Sequence, residues 1–257
     1  MSAVSVRRRR GALVVVLLAV LSSGCARTIP GSASPAELAA PPLTTSARPA
    51  PSATPTAAPT GSPGVVPLVI DPVVPGWNVV RSVNRAAVYD VPPTWTVLSE
   101  DTVIGFEDTA GNRVVSSGAA TFGEDVCGDN SNLGIAVVRH DEGTDLAAAS
   151  RINAEQWADL AYRDAADARP ALSTAAPEKI TTIAGQEATV VKVTATPSTP
   201  VSDCAITTGS TWAVAATGFT GELGPTVVLL LVADVGVPDA VPEAEIRQIL
   251  SSLRPAA

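Results

Sequence analysis

The chain of 257 residues has one histidine, three cysteines and one methionine, and aromatic residues make up only 4% of it. The lone histidine, His140, sits in Arg139-His140-Asp141-Glu142-Gly143. Adjacent side chains at a strand end point to alternate sides, so His140, Asp141 and Glu142 do not converge on one metal ion. Ser-His-Asp catalysis would require His140 as the base, and no Gly-x-Ser-x-Gly elbow supplies a nucleophile. No Cys-x-x-Cys pair, glycine-rich phosphate loop, basic aromatic strip or internal repeat is present. The reading is therefore of a non-enzyme, with no catalytic residue, metal site or cofactor to assign.

What is present begins at the amino terminus. Arg7-Arg8-Arg9-Arg10, an apolar stretch from Ala12 to Leu21 and the small residues Ser22-Ser23-Gly24 before Cys25 have the layout of an export signal. The apolar stretch is ten residues, half of the roughly 20 a membrane-crossing helix requires. The pattern resembles a lipobox, with Ser22 three places before the cysteine and Leu21 one step further out. It implies a signal peptide over 1–24 and lipidation (palmitate or similar chains) at Cys25, placing the protein on the extracytoplasmic face of the cell membrane. Two or three acyl chains, each CH₂ contributing about 0.8 kcal/mol, suffice for stable anchoring. Arg9-Arg10-Gly11-Ala12-Leu13 also loosely resembles a twin-arginine signal, so either export route is open.

Residues 25–76 read as a tether. Between residues 26 and 75 lie 12 of the 22 prolines, with much Ala, Thr and Ser and almost no charge. With almost no aromatic character either, such a proline-rich segment forms no core and is expected to be disordered. Partly extended, it reaches on the order of 100 Å or more. Its Ser and Thr among prolines suit O-linked sugars as well as a bare spacer.

From Trp77 onward, 181 residues carry 11 Lys plus Arg and 23 Asp plus Glu, a formal charge of −12. That charge repels phosphate backbones and argues against nucleic-acid partners. With Cys25 acylated, Cys127 and Cys204 are an even pair in an oxidising compartment, and a disulfide between them is expected. Extended segments are expected over 79–89, 95–98, 102–106, 113–121, 133–139, 179–183, 186–196, 210–217 and 226–234. The last, Val227 to Ala233, is apolar on both faces and belongs at the sheet centre. A helix is expected over 144–164, capped by Thr144 or Asp145, with Leu146, Ala149, Asn153, Trp157, Leu160 and Ala161 on one face. A closing helix over 242–253 carries Ile246, Ile249, Leu250 and Leu253 as its stripe, with Asp239 as a possible cap and Arg254 complementing its dipole. The fold class expected is a single α+β domain over 77–257, an antiparallel sheet flanked by a central and a C-terminal helix.

Tyr89-Asp90-Val91-Pro92-Pro93-Thr94-Trp95, Gly105-Phe106-Glu107-Asp108, Ala233-Asp234-Val235-Gly236-Val237-Pro238 and Ser251-Ser252-Leu253-Arg254-Pro255 resemble an uncharacterised domain family of actinobacterial envelope proteins. The Val-Pro-x-x-Trp piece and the order of elements are also similar to PsbP-like lipoproteins of mycobacteria. The resemblance implies the same antiparallel sheet with helices and carries no catalytic residue.

Ligand-binding candidates are Trp157, Trp212 and Asp234. With Trp95, the two tryptophans could line a cavity between helix and sheet, although buried aromatics more commonly serve as core. Asp234 lies beside Gly236 and Pro238, where turn chemistry is the plainer explanation. Glu107 and Asp108 before a hairpin turn offer a paired-carboxylate site or simply solvated turn acids. Glu124 to Asn132 is rich in oxygen ligands for a weak calcium site, or is a polar loop tied down by the disulfide. The function expected is a membrane-anchored binding or accessory module for an envelope protein partner. The alternatives are a small-ligand carrier with its cavity between helix and sheet, and an acid-residue hydrolase.

Overall fold

The computed structural model describes residues 70–220 and 223–256. Cys25, the signal segment and most of the tether lie outside them.

The core is one large antiparallel sheet. Its strands are β3 (Thr96–Val97), β4 (Ile104–Glu107), β5 (Arg113–Phe122), β6 (Gly134–Asp141), β7 (Ala171–Thr174), β8 (Glu178–Thr181), β9 (Glu187–Thr196), β10 (Gly209–Thr217) and β11 (Thr226–Asp234). They run in the order β3-β5-β6-β11-β10-β9-β7, with β4 added to β5 and β8 to β9. As its two-sided apolar sequence demands, β11 is central and buried at all nine positions. Alternation sends Val228, Leu230 and Val232 to one face and Val227, Leu229 and Leu231 to the other.

Helix α1 (Leu146–Ala161) covers the first face. Asp145 caps it, its Oδ1 accepting from the amides of Ala147 and Ala148 at 3.0 and 3.1 Å. The buried side of α1 is narrower in residue size than its sequence stripe suggests. Ala149, Ser150, Asn153, Ala154, Trp157 and Ala158 are buried, whereas Leu146, Leu160 and Ala161 are only partly covered. Small residues let the helix sit close on the sheet, with Trp157 as its one large insertion.

A three-stranded sheet, β1 (Asn78–Ser82), β2 (Ala87–Val91) and β12 (Arg254–Pro255), covers the second face together with α2 (Glu243–Ser251). The extended run expected over 79–89 breaks into this hairpin at Val83–Arg85, where Ala86 takes φ 47°. β1 approaches β5 at a register shift between Ser117 and Ala120. Gly118 is required there: its φ is +62°, and a Cβ would lie 2.7 Å from the Cβ of Ser82.

Three terminal expectations are corrected. Asp239 does not cap α2; the cap position is Pro242, and Asp239 has turned to φ 61°. Arg254 does not sit at the helix dipole but enters β12 and pairs with Asp90 at 2.9 Å. The folded unit also begins before Trp77: the amides of Val73 and Val74 donate to Asp90 Oδ2 at 2.7 and 2.9 Å. Strand β7 was not expected, because its four residues are all exposed and carry no alternation to read.

Candidate functional site

Asp234 is the last residue of β11, directly opposite Gly209 on β10. A strand that is apolar throughout thus ends in a carboxylate that is only 9% exposed. Its amide donates to the carbonyl of Leu133 at 3.0 Å, which holds the strand end in place. On the same side of the sheet, Tyr162 at the C-terminal end of α1 donates its hydroxyl to Asp234 Oδ1 at 3.2 Å. The Tyr162 ring lies against the backbone of Gly209. A Cβ there would be 1.8 Å from the ring's Cζ, so only glycine admits this placement.

Two loops wall the space beyond this pair. One follows β5 and contributes Cys127 and Asn130 to Asn132; the other follows β9 and contributes Val201, Ser202 and Ile206. They are joined by the Cys127–Cys204 disulfide, with Cα atoms 4.9 Å apart. Each loop is also braced within itself. Asp125 Oδ1 accepts from the Asn130 amide at 2.7 Å, and Val201 and Ile206 exchange two backbone hydrogen bonds of 3.0 and 2.8 Å. The oxygen-rich loop spends acceptors on its own turn, and among the described residues no three His, Cys, Asp or Glu side chains gather as a metal site.

The resulting cleft has a volume of about 260 Å³, with Phe106, Ile135 and Val232 on its apolar side and Asp234 with Tyr162 at its polar end. Burial pushes the Asp234 carboxyl up to about 6, and the Tyr162 hydrogen bond opposes that rise. Tyr162 is held well above the ordinary phenol range, first by burial and then by the Asp234 charge. The pair can therefore present an anionic acceptor near neutral pH or a neutral, proton-bearing acid below it.

The other candidates lie elsewhere. Trp157 is fully buried under α1 and meets Phe106 edge-on at 5.8 Å, so it is core and opens onto no cavity. Trp95 and Trp212 belong to the opposite face of the sheet from Trp157. No cavity can be lined by all three. Trp212 is 2% exposed, with Lys192 Nζ at 4.5 Å and the Arg247 guanidinium at 5.1 Å over its ring. Asp108 spends its carboxylate on its turn, accepting from the amides of Ala110 and Asn112 at 3.0 and 2.8 Å. Its Oδ2 accepts from the Asn112 side-chain amide at 2.8 Å, and that bond, with the backbone ones and the Arg163 charge, holds its carboxyl below the usual range.

Of the sequence candidates, Asp234 is the one that reaches the cleft, and the cysteine pair shapes its walls. Tyr162 and Gly209 were missed. Tyr162 stands just beyond the periodic stripe of α1, and the signal that Gly209 offered, a glycine opening an apolar strand, acquires meaning only once Asp234 is paired across from it.

The clipping of Val73 and Val74 to Asp90, of Asp90 to Arg254 and of Arg254 to the Asp71 carbonyl marks a folded unit running from Asp71 to the C-terminal strand. A family model described as a domain of unknown function, DUF8017, matches residues 70–257. The chain belongs to that family. No curated protein matches the chain. The DUF8017 domain thus includes the short run before Trp77, because Arg254 near its end donates to the carbonyl of Asp71 at 3.0 Å.

Proposed function

We propose that this chain is a lipid-anchored cell-envelope protein whose DUF8017 domain is a binding module, with the cleft at Asp234 and Tyr162 as its ligand site. The anchor reading rests on Arg7 to Arg10, the apolar stretch Ala12 to Leu21 and Cys25. One observation carries the binding reading: a buried carboxylate and a buried tyrosine hydroxyl share the end of a cleft whose two loop walls are crosslinked. A concave, largely apolar space with a few convergent polar groups is the usual form of a small-ligand site. The cleft is slightly below the common range of roughly 300–1,000 Å³, which favours a small ligand.

The small-ligand reading therefore takes precedence over the partner-docking one, with its site moved from beneath α1 to the C-terminal end of that helix. Two measurements test it. Mass spectrometry of the membrane-bound protein is expected to find acyl chains on an amino-terminal Cys25; an unmodified thiol there would remove the anchor. Small-molecule fragments that raise the melting temperature are expected to lose that effect in Ile206→Trp, which fills the cleft. Ligands whose effect survives that substitution would locate binding elsewhere.

A further inference from the structure

The cleft's electrostatics point to a particular ligand class: we propose that it takes a small organic cation, an ammonium group on a short apolar body, with the ammonium donating to Asp234. This rests on the reading of the cleft as a ligand site.

Four carboxylates are buried among the described residues, Asp90, Asp108, Asp164 and Asp234. Three have a partner on each carboxylate oxygen, a hydrogen bond or an ion pair. Asp90 faces Arg254 at 2.9 Å, and Asp108 faces Arg163 at 3.4 Å while capping its own turn. Asp164 accepts from the amides of Ala166 and Ala168 and from the Thr199 hydroxyl, at 3.0, 2.9 and 3.1 Å. Asp234 has one donor, Tyr162, on one of its oxygens. A carboxylate offers about four acceptor positions, so most of the capacity of Asp234 is unused by the described residues. Buried charges are ordinarily paired, and Asp234 lines the cleft.

The lining decides which partner suits it. No lysine, arginine or histidine lines the cleft, and Asp234 is its one charged side chain. Anionic ligands meet no compensating charge there. A hard metal ion needs six or more oxygen ligands in the case of calcium, and the site brings a single carboxylate. An alkylammonium has three donors, needs one charged acceptor, and can lay its body along Phe106, Ile135 and Val232. The net charge of the domain, −12 from Trp77 onward, draws cations toward the surface.

The titratable groups around Asp234 are few. Tyr162 faces it from α1, and Lys192 and Glu243 share the groove on the other side of the strand end, where they pair with each other at 2.9 Å. An ammonium ligand binds the ionised carboxylate, whose pKa burial has pushed up to about 6. Affinity should therefore rise about tenfold between pH 5 and pH 7 as the ionised fraction grows.

The test uses the full-length protein in detergent and three probes of similar shape: phenethylammonium, 2-phenylethanol and 3-phenylpropionate, titrated by calorimetry at pH 5 and pH 7. At pH 7 the ammonium is expected to bind at least tenfold more tightly than the alcohol or the acid, and to lose about tenfold at pH 5. Asp234→Asn should abolish that preference, and Ile206→Trp should abolish binding. If alcohol and ammonium bind equally and Ile206→Trp removes both, the cleft is a ligand site and the cation inference is overturned. If no probe binds, or binding ignores Ile206→Trp, the inference and the ligand-site reading both fall. Should Asp234→Asn fail to fold, the ammonium-to-alcohol ratio and its pH dependence in the unaltered protein decide the question.

Discussion

Asp90 and Arg254 meet at 2.9 Å with side chains 0% and 8% exposed, and this ion pair closes the domain's two ends onto strand β2. The second Asp90 oxygen holds the amides of Val73 and Val74, the Asp90 amide donates to Ser252 Oγ at 2.8 Å, and Arg254 holds the carbonyls of Ser252 and Asp71. The run 71–74 and the run 252–254 are thus both fastened to Asp90 and its ion-pair partner.

Removing one partner leaves the other charge buried without compensation. Asp90→Ala or Arg254→Ala should each cost about 3–5 kcal/mol in chemical denaturation. The double substitution should cost clearly less than the two single losses added together. Additive losses would mean that the two groups act through separate contacts.

Stability should depend on pH through Asp234. Its folded pKa of about 6 lies above the roughly 3.9 of an unfolded aspartate. The folded state therefore binds the proton more tightly, and stability falls as pH rises through the window from about 4 to 6. Asp234→Asn keeps an acceptor for the Tyr162 hydroxyl and has no charge to bury. It should be more stable than the unaltered protein by about 2 kcal/mol at pH 8 and about equal to it at pH 4. A constant difference across that range, measured by urea denaturation, would assign the effect to packing.

The architecture was legible wherever a segment buries residues with a clear period. The two-sided apolar run of β11 placed it at the centre, and Ile246, Ile249 and Leu250 gave α2 its buried stripe. Thr144 and Asp145 were both readable as caps, and Asp145, which immediately precedes the first helical residue, is the one that serves. Legibility failed where a residue's role depends on a distant partner. Arg254 reads as a helix-end cation until β12 carries it to Asp90, more than a hundred residues away in sequence. The same is true of the site. Asp234 stood out beside its glycine and proline, whereas Tyr162 acquires a function only because β11 and α1 end at the same place. The tryptophans misled for a related reason: ring size says that they are buried, but not on which side of the sheet.

The disulfide links stability to the cleft. In the chain-entropy picture a crosslink across 77 residues contributes about 4 kcal/mol. Cys127→Ser with Cys204→Ser should lower stability by about 2–4 kcal/mol and free the two loops that wall the cleft. Hydrogen exchange should then accelerate at Asn130 to Asn132 and Val201 to Ile206 more than in β10 or β11. Uniform acceleration across the domain would assign the bond a global role only.

Gly209 provides the most selective probe of the site's construction. Its missing Cβ is what admits the Tyr162 ring, since a methyl there would sit 1.8 Å from Cζ and about as close to the neighbouring ring carbons, at 2.1 and 2.3 Å. The ring must leave, because its contacts are with backbone that the β9–β10–β11 ladder holds fixed on both sides. Gly209→Ala should therefore cost about 2–4 kcal/mol, in the range of a misfitted core substitution. It should also break the Tyr162–Asp234 hydrogen bond. Tyr162→Phe breaks the same bond without the collision and should cost only about 1 kcal/mol. Ultraviolet titration of the phenols separates the two: Tyr162, held high by burial, should return toward about 10 in Gly209→Ala as it reaches solvent. If Gly209→Ala is as mild as Tyr162→Phe and leaves that titration unchanged, the ring is not seated on Gly209, and the geometry that gives the cleft its polar end is wrong.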